Sequence, residues 1–271
     1  MNRFFFYCAL VSYLISTGFY LIYLIKNKDY YEKAGHYLFI VGFFAHLVTT
    51  VIRYLEAGYT PITNLYESLS FFSLCIAGFF LYLKGVYKTG IIGAIILPVI
   101  SIILIWASTF PWEIKPLPPV LNSYWLPIHT IFCFAGNGIF LISFFVSILY
   151  LILEYGIKRK KIPSVLKRLP SLEVLDTINY RCISYGFPFL TVGIITGSLW
   201  ASIAWGSYWS WDPKETWSLI TWIFYAIILH NRLAMGWRGK KTAYMMIIGF
   251  FSILFTFLGV NFLIGGLHSY V

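Results

Sequence analysis

The chain has 271 residues, of which 59% are hydrophobic and only 11% charged, and its mean hydropathy is +0.78. A soluble domain carries roughly a quarter charged residues, so a chain this apolar can hide its surface only in lipid. The formal net charge of +10 would also suit nucleic acid, but in membrane proteins excess Lys and Arg usually lies in cytoplasmic loops. The composition therefore predicts an integral membrane protein with no nucleic-acid partner.

Eight stretches are apolar over about the 20 residues that a spanning helix needs. The first has no small-residue cleavage site after it, so we expect a retained helix and not a cleaved signal. We predict an all-α integral membrane fold of about eight transmembrane helices, forming one polytopic membrane domain over residues 1–271. The predicted spans are residues 4–25, 35–55, 66–83, 90–107, 130–153, 182–204, 216–235 and 243–263.

The connections between these spans alternate between basic loops and neutral loops rich in Trp, Tyr, Pro and Gly. The neutral segments are residues 56–65, 108–129, 205–215 and the tail after 264. Because basic residues favour the cytoplasmic side, and an even number of spans puts both termini on one side, we predict that both termini and the neutral loops are external. The basic set holds 16 of the 20 basic residues: Lys26, Lys28, Lys33, Lys84, Lys88, Lys158, Arg159, Lys160, Lys161, Lys167, Arg168, Arg181, Arg232, Arg238, Lys240 and Lys241.

The longest basic connection covers residues 154–181. Its apolar residues recur at helical spacing from Val165 to Ile178. This pattern predicts an amphipathic helix that lies on the inner membrane surface.

The most unusual segment is the loop between predicted helices 6 and 7, residues 205–217, with the sequence WGSYWSWDPKETW. We call residues 205–212 the Trp loop. Tryptophan also gathers in aromatic belts at membrane interfaces, but a belt does not explain this density or the accompanying Gly and Asp. An aromatic platform beside lipid suits a large, flat, apolar ligand, because stacked rings bury much area at low entropic cost.

Two of the five histidines fall in predicted external segments, where a loop meets a helix end: His129 and His268. Imidazole is a common axial ligand of haem iron, and two facing imidazoles complete a six-coordinate site. A solvated loop histidine is the alternative for each, but two on the same side as the Trp loop favour ligation. His230 and His46 lie inside predicted helices, where an ionisable residue is a functional candidate or is bonded to a neighbouring helix.

The Trp loop resembles the tryptophan-rich "WWD" signature of haem-handling proteins, W-G-x-x-W-x-W-D. Its continuation through Pro213 to Trp217 is similar to the CcsA/ResC family of System II cytochrome c biogenesis. Similarity to this family covers nearly the whole chain. It includes residues 61–69 (PITNLYESL), 229–233 (LHNRL), 236–239 (GWRG), 258–261 (LGVN) and 266–270 (GLHSY).

The resemblance implies that the chain handles haem b, as substrate, for covalent attachment to apocytochrome c. It implies that His129 and His268 ligate haem iron at the external site and that His230 ligates iron at an intramembrane site. The residues that would cradle the haem edge are Trp205, Gly206, Tyr208, Trp209, Trp211 and Asp212, of which Asp212 is expected to fix the loop backbone.

The implied partners are a CcsB-like membrane subunit, an apocytochrome c with its CxxCH motif, and membrane lipid. With CcsB the chain would form a holocytochrome c synthase, a haem lyase. Two alternatives stay open: a haem transporter or chaperone without ligation activity, and a HemX-like regulator of tetrapyrrole synthesis. The expected membrane is the bacterial plasma membrane, with the thylakoid membrane as the alternative. Arg53 and Glu67 could form an ion pair or contact a haem propionate.

Overall fold

The computed structural model describes residues 1–87 and 89–264, and of residues 258 and 261–264 only the backbone. Eight α-helices cover most of the described chain, and α8 continues into a π-helix over Phe255–Ile264. The all-α membrane fold predicted from the sequence is confirmed. The helices are α1 (Asn2–Lys26), α2 (Asp29–Ala57), α3 (Leu65–Val86), α4 (Gly90–Ser108), α5 (Trp125–Lys158), α6 (Leu172–Trp205), α7 (Pro213–Ala234) and α8 (Lys240–Leu254).

Seven segments of the described chain are long and apolar enough to cross a membrane, namely α1 to α6 and Lys240–Phe257. Helix α7 is 22 residues long but more polar, and it is not among the seven. Its polar residues lie at its two ends, as in a helix whose ends reach the membrane interfaces.

The basic connection between α5 and α6 differs from its prediction. It contains a single 3-10 turn over Leu166–Arg168, and α6 already begins at Leu172. The prediction of a separate amphipathic surface helix is therefore wrong. Its apolar spacing continues into α6, where Leu175 and Ile178 are fully buried.

The chain divides into two compact units. The first consists of Met1–Pro116 and Tyr155–Ser171, so it contains α1 to α4. In this unit the guanidinium of Arg168 donates to the carbonyls of Tyr23 (3.0 Å) and Leu24 (3.2 Å) at the end of α1. These bonds attach the α5–α6 connection to the end of α1.

The second unit consists of Leu117–Glu154 and the chain from Leu172 onward, and it contains the Trp loop. In its core the ring of Phe140 on α5 stacks flat on the ring of Tyr225 on α7, with centroids 3.6 Å apart and an interplanar angle of 11°. At the end of α7, Arg232 makes a bidentate ion pair with Asp176 on α6 (2.9 and 2.6 Å). The prediction of a single membrane domain over residues 1–271 stays a prediction.

Candidate functional site

The Trp loop begins where α6 ends, at Trp205. Gly206 follows with a φ of +78°, a left-handed conformation that glycine adopts without a Cβ clash and that commonly ends a helix. Trp211 also has a positive φ of +59°, which costs a non-glycine residue about 1–3 kcal/mol and is typical of functional sites. The side chains of Trp211 and Tyr208 are 69% and 64% exposed. The loop therefore presents large aromatic surfaces on a constrained backbone.

Two carboxylates hold the end of the Trp loop on the start of α7. Asp212 is the N-cap of α7, and its Oδ1 accepts from the backbone N–H of Lys214 at 2.9 Å. Glu215 accepts through Oε2 from the backbone N–H groups of Ser210 (2.7 Å) and Asp212 (3.3 Å). Asp212 thus caps α7, and the carboxylate that bonds to the backbone of the Trp loop is that of Glu215. Sequence reasoning missed Glu215, although an Asp followed three residues later by Glu is the signal of a capping box.

Lys214 lies in the first turn of α7, just after this cap and before the predicted span 216–235. Burial disfavours its ammonium form and lowers its pKa from 10.5 to about 8, although the nearby Asp212 carboxylate acts in the opposite direction. We expect half of the Lys214 side chains to be neutral amines near pH 8. Acylation of the folded protein, followed across pH by peptide mass spectrometry, should therefore titrate near pH 8 at Lys214. The same peptide in the unfolded chain should titrate near the ordinary value, and equal profiles in both states would contradict this assignment.

His129 lies in the first turns of α5, and its ring is oriented by a hydrogen bond that it donates to α6. Its Nδ1 lies 2.7 Å from the carbonyl oxygen of Gly193. Because a carbonyl oxygen only accepts, Nδ1 is the donor, and in the neutral ring the lone pair lies on Nε2. A metal-binding histidine typically donates its second N–H to a carbonyl or carboxylate in this way. The tautomer of His129 therefore fits an axial ligand of iron.

An aromatic contact chain joins His129 to the Trp loop. The ring of Trp200 on α6 stacks on the His129 ring, with centroids 6.2 Å apart and an interplanar angle of 19°. Trp200 also meets the ring of Trp205 edge to face, at 5.0 Å and 69°, and its Nε1 donates to the carbonyl of Val120 at 3.2 Å. Sequence reasoning missed Trp200, because a tryptophan near a membrane-helix end is typical of any interface.

The other predicted haem ligands are His268 and His230. His268 lies outside the described residues. His230 lies on α7, seventeen residues after its first residue, Pro213. At 1.5 Å per residue this separates His230 from the Trp loop by about 26 Å along the helix. The His230 side chain is exposed, so this unit does not enclose it.

Two buried polar contacts lie in the first unit. The Arg53 guanidinium donates to Glu67 Oε1 from Nε (3.0 Å) and Nη2 (2.8 Å), and both side chains are almost completely buried. The predicted ion pair between Arg53 and Glu67 is therefore observed. His46 is fully buried, and its Nε2 lies 3.0 Å from the hydroxyl of Ser70 on α3. This contact matches the expected bond between neighbouring helices.

The eight long helices and the capped aromatic loop beside His129 define a polytopic membrane protein with an aromatic ligand platform. Residues 62–268 match the family model of the cytochrome C assembly protein, and the chain belongs to this family. Its relatives place it in the CcsA branch. The cytochrome c biogenesis protein CcsA of Trieres chinensis is 42% identical over 249 residues, covering 80% of each chain. That of Guillardia theta is 39% identical over 287 residues, covering 97% of this chain and 91% of the relative.

The fold is also similar to that of a solved structure, the cytochrome c haem lyase CcmF. The TM-score is 0.65 at 16% sequence identity, and the match covers 95% of this chain. This chain spans 46% of the length of CcmF, so the likeness concerns the fold alone.

Proposed function

We propose that this chain handles haem in cytochrome c maturation and holds haem b as its substrate at the Trp loop, with His129 as an axial ligand. One observation carries the proposal. Nδ1 of His129 donates to the Gly193 carbonyl at 2.7 Å, which leaves Nε2 for iron, and the same ring stacks on Trp200. Trp200 in turn contacts Trp205 of the loop. The ligand nitrogen and the aromatic platform thus belong to one packed group.

The remaining predicted residues have these roles in the proposal. The exposed rings of Tyr208 and Trp211 cover a porphyrin face or edge, and Trp209, edge to face with Trp211 at 5.9 Å, supports them. Gly206 and Asp212 set the loop backbone. His268 is the second axial ligand of the external site.

In the proposed reaction the chain positions its substrates and controls iron ligation. Each thiol of an apocytochrome CxxCH motif adds across a haem vinyl group, so that a carbon–sulfur bond forms and the thiol proton ends on the neighbouring vinyl carbon. Acid–base groups of this chain are not required, because the reacting atoms belong to the thiols and the haem. The chain contributes a fixed haem plane and a defined iron ligand.

His230 is proposed to ligate haem at a second, intramembrane site, which the haem occupies before it reaches the Trp loop. Its side chain is exposed on a helix whose neighbouring exposed residues, Ile223 and Ile227, are apolar. An imidazole facing lipid is costly, which supports a second subunit covering it. We propose that a CcsB-like membrane subunit supplies this cover and the opposite ligand.

The chain is a multi-pass membrane protein, and two membranes are compatible with its predicted topology, the bacterial plasma membrane and the thylakoid membrane. The algal sources of its relatives favour the thylakoid membrane. In either membrane, the Trp loop would face away from the compartment in which the chain is made, because the basic loops favour that compartment.

Reconstitution with a CcsB-like subunit and a reduced apocytochrome c tests the proposal. We expect haem to co-purify with the complex and to become attached to the apocytochrome by thioether bonds, detected as haem that survives denaturation. An apocytochrome without the two cysteines is the control and should acquire no covalent haem. Bound haem without thioether product would favour the transporter or chaperone. A folded complex that binds no haem would contradict the proposal and favour a regulatory role.

A further inference from the structure

We propose that His129 is the axial ligand that haem iron retains throughout the reaction, because α6 forms a socket around its imidazole ring. Gly193, Gly197 and Trp200 make up this socket. The coordination position opposite His129 is then the one at which the apocytochrome histidine enters. This inference rests on the proposed function and goes beyond it by assigning different roles to the two ligands.

The first wall of the socket is the backbone of α6. Gly193 supplies the carbonyl that accepts from Nδ1 of His129, so the edge of the ring away from iron is fixed. A Cβ atom at Gly193 would lie 2.5 Å from the Sγ atom of Cys133 on α5. The missing side chain therefore allows α5 to approach closely enough for this hydrogen bond.

The second wall is Gly197, one helical turn further along α6. A Cβ atom there would lie 2.6 Å from Nδ1 and 2.8 Å from Cε1 of His129, distances that real Cβ contacts do not show. His129 and Cys133 are also one turn apart. Two turns of α5 thus pack directly on the glycine backbone of α6, and any side chain at Gly197 would displace the imidazole.

The third wall is the indole of Trp200, which lies nearly parallel to the imidazole, with ring centroids 6.2 Å apart and an interplanar angle of 19°. Trp200 is itself 6% exposed and is held by its bond to Val120, so it is not free to swing away. The His129 ring thus lies between this indole and the backbone of α6 at Gly197. The close-packed interior transmits any change of these walls to the ring.

The consequence concerns ligand exchange at iron. If the iron bond to His129 opens, the imidazole stays in place and rebinds, since leaving would require breaking the Gly193 hydrogen bond and the Trp200 stack. Exchange is therefore expected at the opposite position. There one nitrogen lone pair of the incoming histidine forms an iron bond as that of the outgoing ligand breaks, with no electron transfer and no net proton change.

The socket is tested by Gly197→Ala in the full chain with its CcsB-like subunit. Loss of an outer-shell contact typically weakens metal binding about 10–100-fold, and we expect a fall of this size in haem affinity, with a spectral shift toward five-coordinate iron. Gly18→Ala is the matched control, since a Cβ at Gly18 meets nothing within 4 Å. Trp200→Phe and Trp200→Ala provide a second test in case Gly197→Ala disturbs folding. Trp200→Phe keeps an aromatic ring, so it should lose less haem affinity than Trp200→Ala. Equal haem affinity and spectra in Gly197→Ala and Gly18→Ala would overturn the socket.

The retained ligand is identified with His129→Ala and His268→Ala, each of which leaves haem iron with a single histidine of this chain. Each variant is mixed with an apocytochrome whose CxxCH cysteines are alanine, so that only its histidine can bind iron. We expect six-coordinate haem to form with His268→Ala, because the incoming histidine enters opposite His129. We expect five-coordinate haem to remain with His129→Ala, because the incoming histidine replaces His268. Any other pattern would overturn the assignment. A wild-type complex that binds no haem would instead refute the proposed function.

Discussion

Replacing His129 by alanine is expected to abolish six-coordinate haem at the Trp loop and to reduce holocytochrome c formation by at least about 100-fold. Removal of a directly bonded ligand exceeds the 10–100-fold cost of losing an outer-shell contact, and the variant also loses the hydrogen bond from Nδ1 to the Gly193 carbonyl. Visible spectra of the detergent-purified protein measure the first effect. Covalent haem on a reporter cytochrome measures the second.

The control for this experiment is His36→Ala. His36 is a histidine of the first unit on α2, stacked on Phe39, and no haem role is proposed for it. We expect wild-type spectra and wild-type product from this variant. If His129→Ala retains an unchanged haem spectrum while its fold is intact, the ligand assignment fails and the Trp loop requires another explanation.

Replacing Glu67 by alanine is expected to lower the free energy of unfolding by about 3–5 kcal/mol, because it leaves the Arg53 charge buried without its counter-ion. The relative exposure of the two side chains is 3% for Arg53 and 0% for Glu67. Glu67 also accepts from the backbone N–H and the hydroxyl of Thr63, both at 2.9 Å, so the α2–α3 loop loses an anchor. Denaturant titration of the purified protein, followed by circular dichroism, measures the loss.

Glu56→Ala is the matched control on the same helix as Arg53. Glu56 pairs with the N-terminal amine at 3.3 Å, but the two groups are 34% and 72% exposed, and exposed pairs contribute only about 0–1 kcal/mol. Glu56 also accepts from the Asn2 side chain, a hydrogen bond that contributes about 0.5–1.5 kcal/mol, so we expect a smaller loss than in Glu67→Ala. A second test is the double replacement Arg53→Met with Glu67→Leu. It should be more stable than Glu67→Ala, because apolar groups of similar volume leave no unpaired charge. A double variant as unstable as the single one would show that the hydrogen bonds, and not the charge, account for the loss.

The predictions that succeeded from the sequence rest on local physical rules. The spans could be located because a helix must cover about 30 Å of hydrocarbon with apolar residues, and the helices of the structure contain or closely overlap the predicted spans. The predicted span 216–235 begins three residues after α7 does, at Pro213. The earlier start could have been found from Asp212 before Pro213, because this pairing favours the start of a helix. Glu215 could have been found by the same rule.

The prediction of a surface helix before α6 failed because periodicity does not show where one helix ends. The apolar residues Leu175 and Ile178 fit a surface helix and an extension of α6 equally well. The structure selects the extension, because both side chains are fully buried. Asp176 lies between them in the sequence and accepts hydrogen bonds from Arg232 and from the backbone N–H of Gly239 (2.7 Å). The polar side of this segment therefore also makes contacts within the unit.

The sequence by itself determined the membrane class and the positions of the spans, since both depend on the free energy of transferring side chains to lipid. It also determined the composition of the Trp loop, which is a property of adjacent residues. Only the tertiary structure decided how His129 is held. Its hydrogen-bond acceptor Gly193 lies 64 residues away in the chain. Gly193 and Gly197 form a G-x-x-x-G pattern, which predicts that another helix approaches closely but does not say which helix or which side chain. The role of these glycines arises because His129 and Cys133 of α5 pack on them, and which residues of a distant helix meet is decided only when the helices pack.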